Sequence, residues 1–388
     1  MSTPGGPLLA PGLEGSVDVL WLAGEHSGDQ HAARVAAHLR EAHPGLRQTA
    51  VGGPALAAAG VDLLHDLTEN SVVGLVEVLR HYGYFKRLFA EIVEWIRAHR
   101  PRVLVLTDYP GFNLRLAEAL KKEGLSRQGG GPVAIYYYIS PQIWAWKQHR
   151  RFKMAETIDE LGVIFPFEVD TFADTRLPVH FVGHPFMESA HEGTLEEDPH
   201  GALLLLAGSR LQPVRRILPV MLAAAASWRE RSPQAARVPL VTLAPNDSVA
   251  AEVNRIVAGS GLPVEVRRSG EIVTARAVLT SSGTMSLNCA LAGIPGAIVY
   301  RAHPVTYWLG RRVVKIPYLG IANLILERPM YPEFIQGMAR PRTLADQLED
   351  CARPARRSLA HSDAAELRDR LSVPASASAP ERIAALLE

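Results

Sequence analysis

The feature that most limits how this chain can fold is a repeated beat of short, wholly apolar runs, each closed by a turn and followed by a helical stretch. VDVLWLA at residues 17–23 leads into Gly24-Glu25-His26-Ser27-Gly28-Asp29 and an Ala-rich helix through Leu39. VLVL at 103–106 leads into Thr107-Asp108-Tyr109-Pro110 and a helix from about Phe112 to Lys122; AIYYYI at 134–139 leads into Ser140-Pro141, a helix near 148–160 and the strand LGVIF. A second series opens with ALLLLA at 202–207, turns at Gly208-Ser209-Arg210 and continues past Pro213, a residue suited to a helix first turn. VPLVTLA, AVLT and AIVY follow, with Ser281-Ser282-Gly283-Thr284 between the last two. Unalternated apolar runs are strands buried on both faces, and strands separated by helices run parallel. The chain is therefore predicted to be α/β, with two doubly wound halves.

A length of 388 residues suits two domains, since single cores seldom grow past roughly 250 residues. The expected division is a disordered extension over 1–16, a first domain over 17–187, an acidic linker over 188–200, a second domain over 201–340 and a helical tail over 341–388. That tail has a loose Ser/Ala/Pro break near Ser372–Pro380. With 47% hydrophobic and 21% charged residues the chain can fill two cores and is not of the disordered class. Lys+Arg 41 against Asp+Glu 40 leaves no overall field to attract nucleic acid. Cys289 and Cys351 form no CxxC pair, so neither a disulfide framework nor a cysteine zinc site is predicted. The first 16 residues lack the charged and apolar regions of a signal peptide, and no run reaches the roughly 18 apolar residues of a spanning helix. A cytoplasmic protein that touches a membrane surface is the expected class.

Parallel sheets bind ligands outside the carboxyl ends of their strands, so the turns hold the candidate chemistry. Gly208-Ser209-Arg210 offers helix-start N–H groups and a permanent guanidinium, suited to a phosphate or diphosphate. Ser281-Ser282-Gly283-Thr284 repeats that chemistry without an arginine. Either turn alone is equally a set of ordinary helix caps. There is no GxxxxGK[ST], no GxGxxG and no DxD pair, so neither a P-loop, a dinucleotide fold nor a metal-held diphosphate is implied. Asp108, at the end of an apolar strand, is either a partly desolvated general base or the cap of the helix that follows; Glu25 has the same ambiguity. His184 has no second histidine at ligand spacing and is read as a turn residue.

Two stretches admit a membrane reading. From Val72 to Leu79 the chain is apolar almost all round, including Val73, Leu75 and Val76, and is either buried or an exposed patch that meets lipid. Trp144 and Trp146 stand beside Lys147, Arg150, Arg151 and Lys153, a composition that suits anionic headgroups or an ordinary solvated helix face.

These motifs, taken in order, resemble those of lipid-A-disaccharide synthase, an inverting glycosyltransferase family of the GT-B fold. The matches are AGEHSGD at 23–29, VGGPALAAAG at 51–60, SVVGLVEVL at 71–79, TDYPGFNLRLA at 107–117, YISPQIWAW at 138–146, PFE at 166–168 and FVGHP at 181–185. GSR at 208–210, SSGTMSL at 281–287, the run from Tyr300 to Asn323 and PEFIQ at 332–336 continue them. The resemblance implies two Rossmann-like domains facing across a cleft, and transfer of 2,3-diacylglucosamine from its UDP derivative to 2,3-diacylglucosamine 1-phosphate, lipid X. The products would be a β-1,6 disaccharide and UDP. It makes Asp108 the base, places Ser209, Arg210, Ser282, Gly283, Thr284, Asn288, Asn323 and Gln336 at the UDP-sugar, and Glu25, Ser27 and Gly28 at the acceptor or first-turn site. It gives the 72–79 segment, with Trp144 and Trp146, to acyl chains or the inner-membrane surface. No cofactor, metal or nucleic acid is implied, and homodimers through exchanged C-terminal segments are compatible with it.

The chain departs from the family pattern at Gly111, Pro213, Asn288 and Gly320-Ile321-Ala322. The alternatives are another GT-B enzyme of UDP-sugars, such as a second glycosyltransferase or a UDP-N-acetylglucosamine 2-epimerase, and a non-catalytic paralogue that binds lipid or nucleotide sugar.

Overall fold

A computed structural model describes residues 7–10, 15–68, 82–187, 194–313 and 316–388. The chain divides into two compact units, Met1–Pro185 with Val373–Glu388, and Phe186–Ser372. Unit 1 carries β1 (Val19–Ala23), β2 (Gln48–Gly52), β3 (Asp62–Asp66), β4 (Val103–Thr107), β5 (Ala134–Tyr138), β6 (Glu160–Val163) and β7 (Val179–Phe181). They form one parallel sheet in the order β3-β2-β1-β4-β5-β6-β7. Its helices include α1 (His26–Ala42), α2 (Pro54–Ala58), α3 (Tyr82–His99), α4 (Pro110–Lys122), α5 (Arg150–Thr157) and α6 (Glu168–Thr171).

The unbroken apolar runs follow from the layering. Every residue of β1, β4 and β5 is buried. Leu20, Leu22, Leu104 and Leu106 enter one core cluster while Val19, Trp21, Val103 and Val105 enter another. Successive side chains point to opposite faces, and both faces are covered, so nearly every position is apolar or aromatic. Each such side chain contributes roughly 1.5–3 kcal/mol.

Unit 2 repeats the plan with β8 (Leu195–Leu206), β9 (Leu240–Ala244), β10 (Val264–Arg268), β11 (Val273–Thr280), β12 (Gly296–Tyr300) and β13 (Glu333–Ile335). All are parallel, in the order β10-β9-β8-β11-β12-β13. The helices that matter below are α7 (Leu211–Arg229), α8 (Thr284–Leu291), α9 (Ile321–Leu326), α10 (Pro341–Cys351) and α11 (Pro354–Leu371). Each sheet reverses its strand order at one place, between β1 and β4 in unit 1 and between β8 and β11 in unit 2. Those are the switch points at which such sheets bind ligands.

Three boundaries differ from the sequence reading. Residues 195–200 of the expected linker are the first half of β8, Leu195 pairing with Val273 and Glu196 with Thr274. Their polar character is satisfied within unit 2, where the Glu197 carboxylate meets Arg357 at 3.5 Å and His361 at 3.1 Å. In the expected disordered extension, the described residues 7–10 are anchored. The Leu8 and Leu9 amides donate to Glu91, and that of Ala10 donates to Leu64. The expected tail is two things. α10 and α11 complete unit 2, with Leu344, Leu348 and Cys351 in its core. After Ser372 the chain joins unit 1, where α12 (Ala379–Leu387) buries Ala379, Ile383 and Leu387 beside Trp21. Arg382 there reaches Glu160 at 2.5 Å.

Candidate functional site

At the unit 1 switch point the turn after β4 is held in an unusual conformation. Asp108 and Tyr109 have φ of 44° and 45°, two consecutive left-handed residues with neither a glycine. Such backbone persists only where its surroundings over-determine it. Here the Asp108 amide donates to the Tyr138 carbonyl at 3.0 Å. The Asp108 carbonyl accepts from the Tyr137 hydroxyl at 2.6 Å and the Asn113 amide at 2.8 Å. Asn113 also reaches the Thr107 carbonyl at 3.2 Å. The capping alternative for Asp108 does not hold, because α4 starts at Pro110 and the cap position falls to Tyr109.

Burial first, and then the neighbouring charge of Glu25, push the Asp108 carboxyl up to about 6, the Tyr109 amide pulling the other way. Glu25 is exposed at the cap position of α1, and β1 and β4 are in register with Ala23 opposite Thr107. A Cβ at Gly24 would fall inside the Tyr109 ring, so the two turns pack only because that position is glycine. Ser27 is exposed on α1; Gly28 is buried, and a Cβ there would touch Thr107. The last residue of AGEHSGD does something else. Buried Asp29 accepts from the amides of Gly53 and Ala55 at 2.8 Å and Leu56 at 3.3 Å, tying the first motif to the second.

Asp108 lines a cavity of about 310 Å³ with Ser140, Trp146, Lys147, Arg150 and Glu168. Glu168, noted in the sequence only as part of PFE, is buried at the start of α6, and its carboxylate accepts from the Phe165 amide at 3.1 Å. Among the described residues it has no ion-pair partner, and burial drives its carboxyl up to about 8, against the pull of backbone amides. Sequence reasoning missed it because nothing local marks a glutamate as buried.

The two switch-point turns of unit 2 are neighbours. β8 and β11 pair with Leu206 opposite Thr280, and the Ser281 amide donates to the Leu206 carbonyl at 2.7 Å. Gly208 has φ of 117°, and a Cβ there would stand 3.2 Å from Pro213 and 3.4 Å from Ser281 Oγ. Ser209 and Arg210 are exposed, Arg210 capping α7 in an extended conformation without using its side chain. Gly283 caps α8, Thr284 opens it, and Ser282 lies just before; Asn288 follows one turn later, buried. Two helix starts and a guanidinium with no ion-pair partner among the described residues thus share one edge, which suits a diphosphate. Pro213 sits in the first turn of α7, where a missing N–H costs no helix bond.

Asn323 and Gln336, expected at the nucleotide sugar, are tied to protein. Asn323 is fully buried, donating to the Tyr331 carbonyl at 2.7 Å and to Glu333 at 2.9 Å while accepting from the Tyr331 amide at 2.9 Å. Gln336 exchanges two bonds with the Ala302 backbone, at 3.0 and 3.2 Å. Glu333, which the sequence reading passed over, also accepts from the Leu319 and Gly320 amides and so shapes the Gly320-Ile321-Ala322 loop.

Of the membrane residues, Val72, Val73, Leu75, Val76 and Leu79 lie outside the described residues. Trp144 is only half-buried but its ring packs edge-on against Phe167 at 5.1 Å, whereas Trp146 is 47% exposed with Lys147 4.1 Å over its ring. No described helix is long and apolar enough to cross a membrane, and among the described residues no cluster of His, Cys, Asp or Glu could hold a metal ion.

The family model described as lipid-A-disaccharide synthetase matches residues 19–385. This chain belongs to that family. A lipid-A-disaccharide synthase of Nitrosococcus oceani is 35% identical over 346 residues, covering 84% of each chain. One of Geobacter metallireducens is 34% identical over 342 residues, covering 85% of this chain and 86% of its own. Among solved structures, a UDP-N-acetylglucosamine 2-epimerase of Listeria monocytogenes aligns with a TM-score of 0.58 at 12% identity, over 96% of this chain and 94% of that one. The glycosyltransferase of kitacinnamycin aligns at 0.58 and 14%, over 96% and 100%. At those identities the likeness shows the fold, which is GT-B. The lipid-A-disaccharide synthases are glycosyltransferases, and the two doubly wound sheets of this member are of that architecture.

Proposed function

We propose that this chain is a lipid-A-disaccharide synthase. In this reading Asp108 takes the proton from the 6-hydroxyl of 2,3-diacylglucosamine 1-phosphate as that oxygen attacks the anomeric carbon of UDP-2,3-diacylglucosamine. The bond from that carbon to the diphosphate breaks, and UDP leaves with the electron pair. Attack opposite to the leaving group inverts the centre and gives the β-1,6 link in a single displacement. Inversion needs one base and no covalent intermediate; of the two carboxyls in the cavity, Asp108 at about 6 is the one ionised near neutral pH, while Glu168 keeps its proton up to about 8. Arg210, Ser209 and the Ser282-Gly283-Thr284 turn hold the diphosphate and oppose the charge that grows on it. No metal enters this scheme.

The observation that carries the reading is Asp108 itself. Its backbone is fixed by three hydrogen bonds in a strained turn, it is released from capping, and its carboxyl is shifted to about 6. A peripheral place at the inner membrane belongs to the same reading, because both substrates are lipid-borne. Exposed Trp146 and Phe152, each under a basic side chain, support it. The test is to mix the purified protein with the two substrates in detergent and measure disaccharide and UDP. Wild type is expected to form both and Asp108→Ala to form little of either. Absence of product from wild type overturns the reading, and full product from the variant removes Asp108 as base.

A further inference from the structure

The structure sorts the basic cluster after Trp146 into two kinds of residue. Arg151 binds Asp174 through two nitrogens, at 2.6 and 2.5 Å, and Lys153 pairs with Glu118 at 2.5 Å. Those two cations are neutralised on the surface. Lys147 and Arg150 have no ion-pair partner among the described residues, and both line the 310 Å³ cavity that holds Asp108. Their backbones are tied in one turn, the Arg150 amide donating to the Lys147 carbonyl at 3.0 Å. Lys147 has φ of 57°, a left-handed turn in a non-glycine residue, and its ammonium rests over the Trp146 ring.

We infer that Lys147 and Arg150 form an anion subsite for the phosphate monoester of the acceptor sugar, in the cavity where Asp108 activates its hydroxyl. The inference rests on the transferase reading above and adds what that reading leaves open, namely how the acceptor is recognised. Asp108 and Glu168 line the same cavity, but among the described residues neither forms an ion pair with Lys147 or Arg150, so a dianionic phosphate at one end of the acceptor can take a forked guanidinium and a point charge together. It would also orient the ring so that one hydroxyl is offered to the base. The anionic headgroup of a membrane lipid is the same chemistry from another source.

The experiment is steady-state kinetics in detergent micelles with two acceptors, 2,3-diacylglucosamine 1-phosphate and the same sugar without its phosphate. Arg150→Ala and Lys147→Ala are expected to raise the KM of the phosphorylated acceptor about tenfold or more, with donor KM within twofold. Arg150→Lys should recover part of the loss. On the unphosphorylated acceptor, wild type should already show the raised KM and the variants add less than twofold. Arg151→Ala and Lys153→Ala should change neither. Equal losses on both acceptors, a shift confined to donor KM, or unchanged kinetics with weakened binding to phosphatidylglycerol vesicles would each overturn the inference; the last assigns the cations to a lipid headgroup. Absence of product from wild type overturns the transferase reading and this inference with it, while product from wild type and unaltered variants overturns this inference alone.

Discussion

The switch point of unit 1 and that of unit 2 are built on the same strand order and carry opposite chemistry. After β1 and β4 stand carboxyls, Glu25 in an extended cap and Asp108 in a turn strained over two residues. Around β8 and β11 stand Gly208, two serines, Gly283 and Arg210 at two helix starts. The shared topology places both sets at strand ends, and in the proposed reaction the residue types decide which place removes a proton and which holds an anion. Fold therefore located the chemistry and side chains chose it.

The comparison breaks most sharply at Asp108. Replacing it by Asn, which keeps the shape and loses the base, should lower kcat/KM by about 10²–10⁴-fold with donor binding retained, measured by product formation and by UDP binding. Arg210→Ala should cost about 10²–10³-fold and, unlike the Asp108 variant, weaken UDP binding as well; Arg210→Lys should restore only part, because a point charge lacks the fork.

The pH dependence sharpens the contrast further. Asp108 must be ionised to act, so kcat/KM should fall about tenfold per unit as pH drops below about 6. Glu25→Gln removes a like charge and should move that limb to lower pH. Glu168 shows the same kind of shift through stability. Folded protein holds its proton up to about pH 8, while the unfolded chain releases it near 4.5, so the folded state binds more protons between those values. Stability should therefore decline as pH rises through that window, and Glu168→Gln should flatten the decline in a series of thermal melts. The smallest expected effect is in unit 2. Asn323→Ala removes the side-chain partner of both the Tyr331 amide and the Tyr331 carbonyl and should cost about 1–3 kcal/mol in denaturant unfolding.

Much of this was legible in order and little of it in pairing. The apolar runs predicted both sheets, and the turns after them held Asp108 and Arg210, because strand ends are local features. The 188–200 stretch looks like a linker because the acidic start of β8 hides its period, and only contact with Arg357 and His361 shows why a strand tolerates Glu197. Asn323 and Gln336 stand in motifs expected at the nucleotide sugar, and only the structure shows that both amides also tie the backbone of their own loops. The four cations after Trp146 were likewise equivalent until Asp174 and Glu118 claimed two of them.

What the amino-acid order determined by itself is the alternation of buried strand, turn and helix, since burial on two faces favours apolar runs and glycine, serine and proline favour turns. What only the tertiary structure decided is which carboxyl lost its water, which cations kept their charge unpaired and that the last helix, 379–387, completes the first unit. Desolvation, ion pairing and core completion depend on partners tens to hundreds of residues away along the chain, as with Arg382 on Glu160, and no local pattern encodes them.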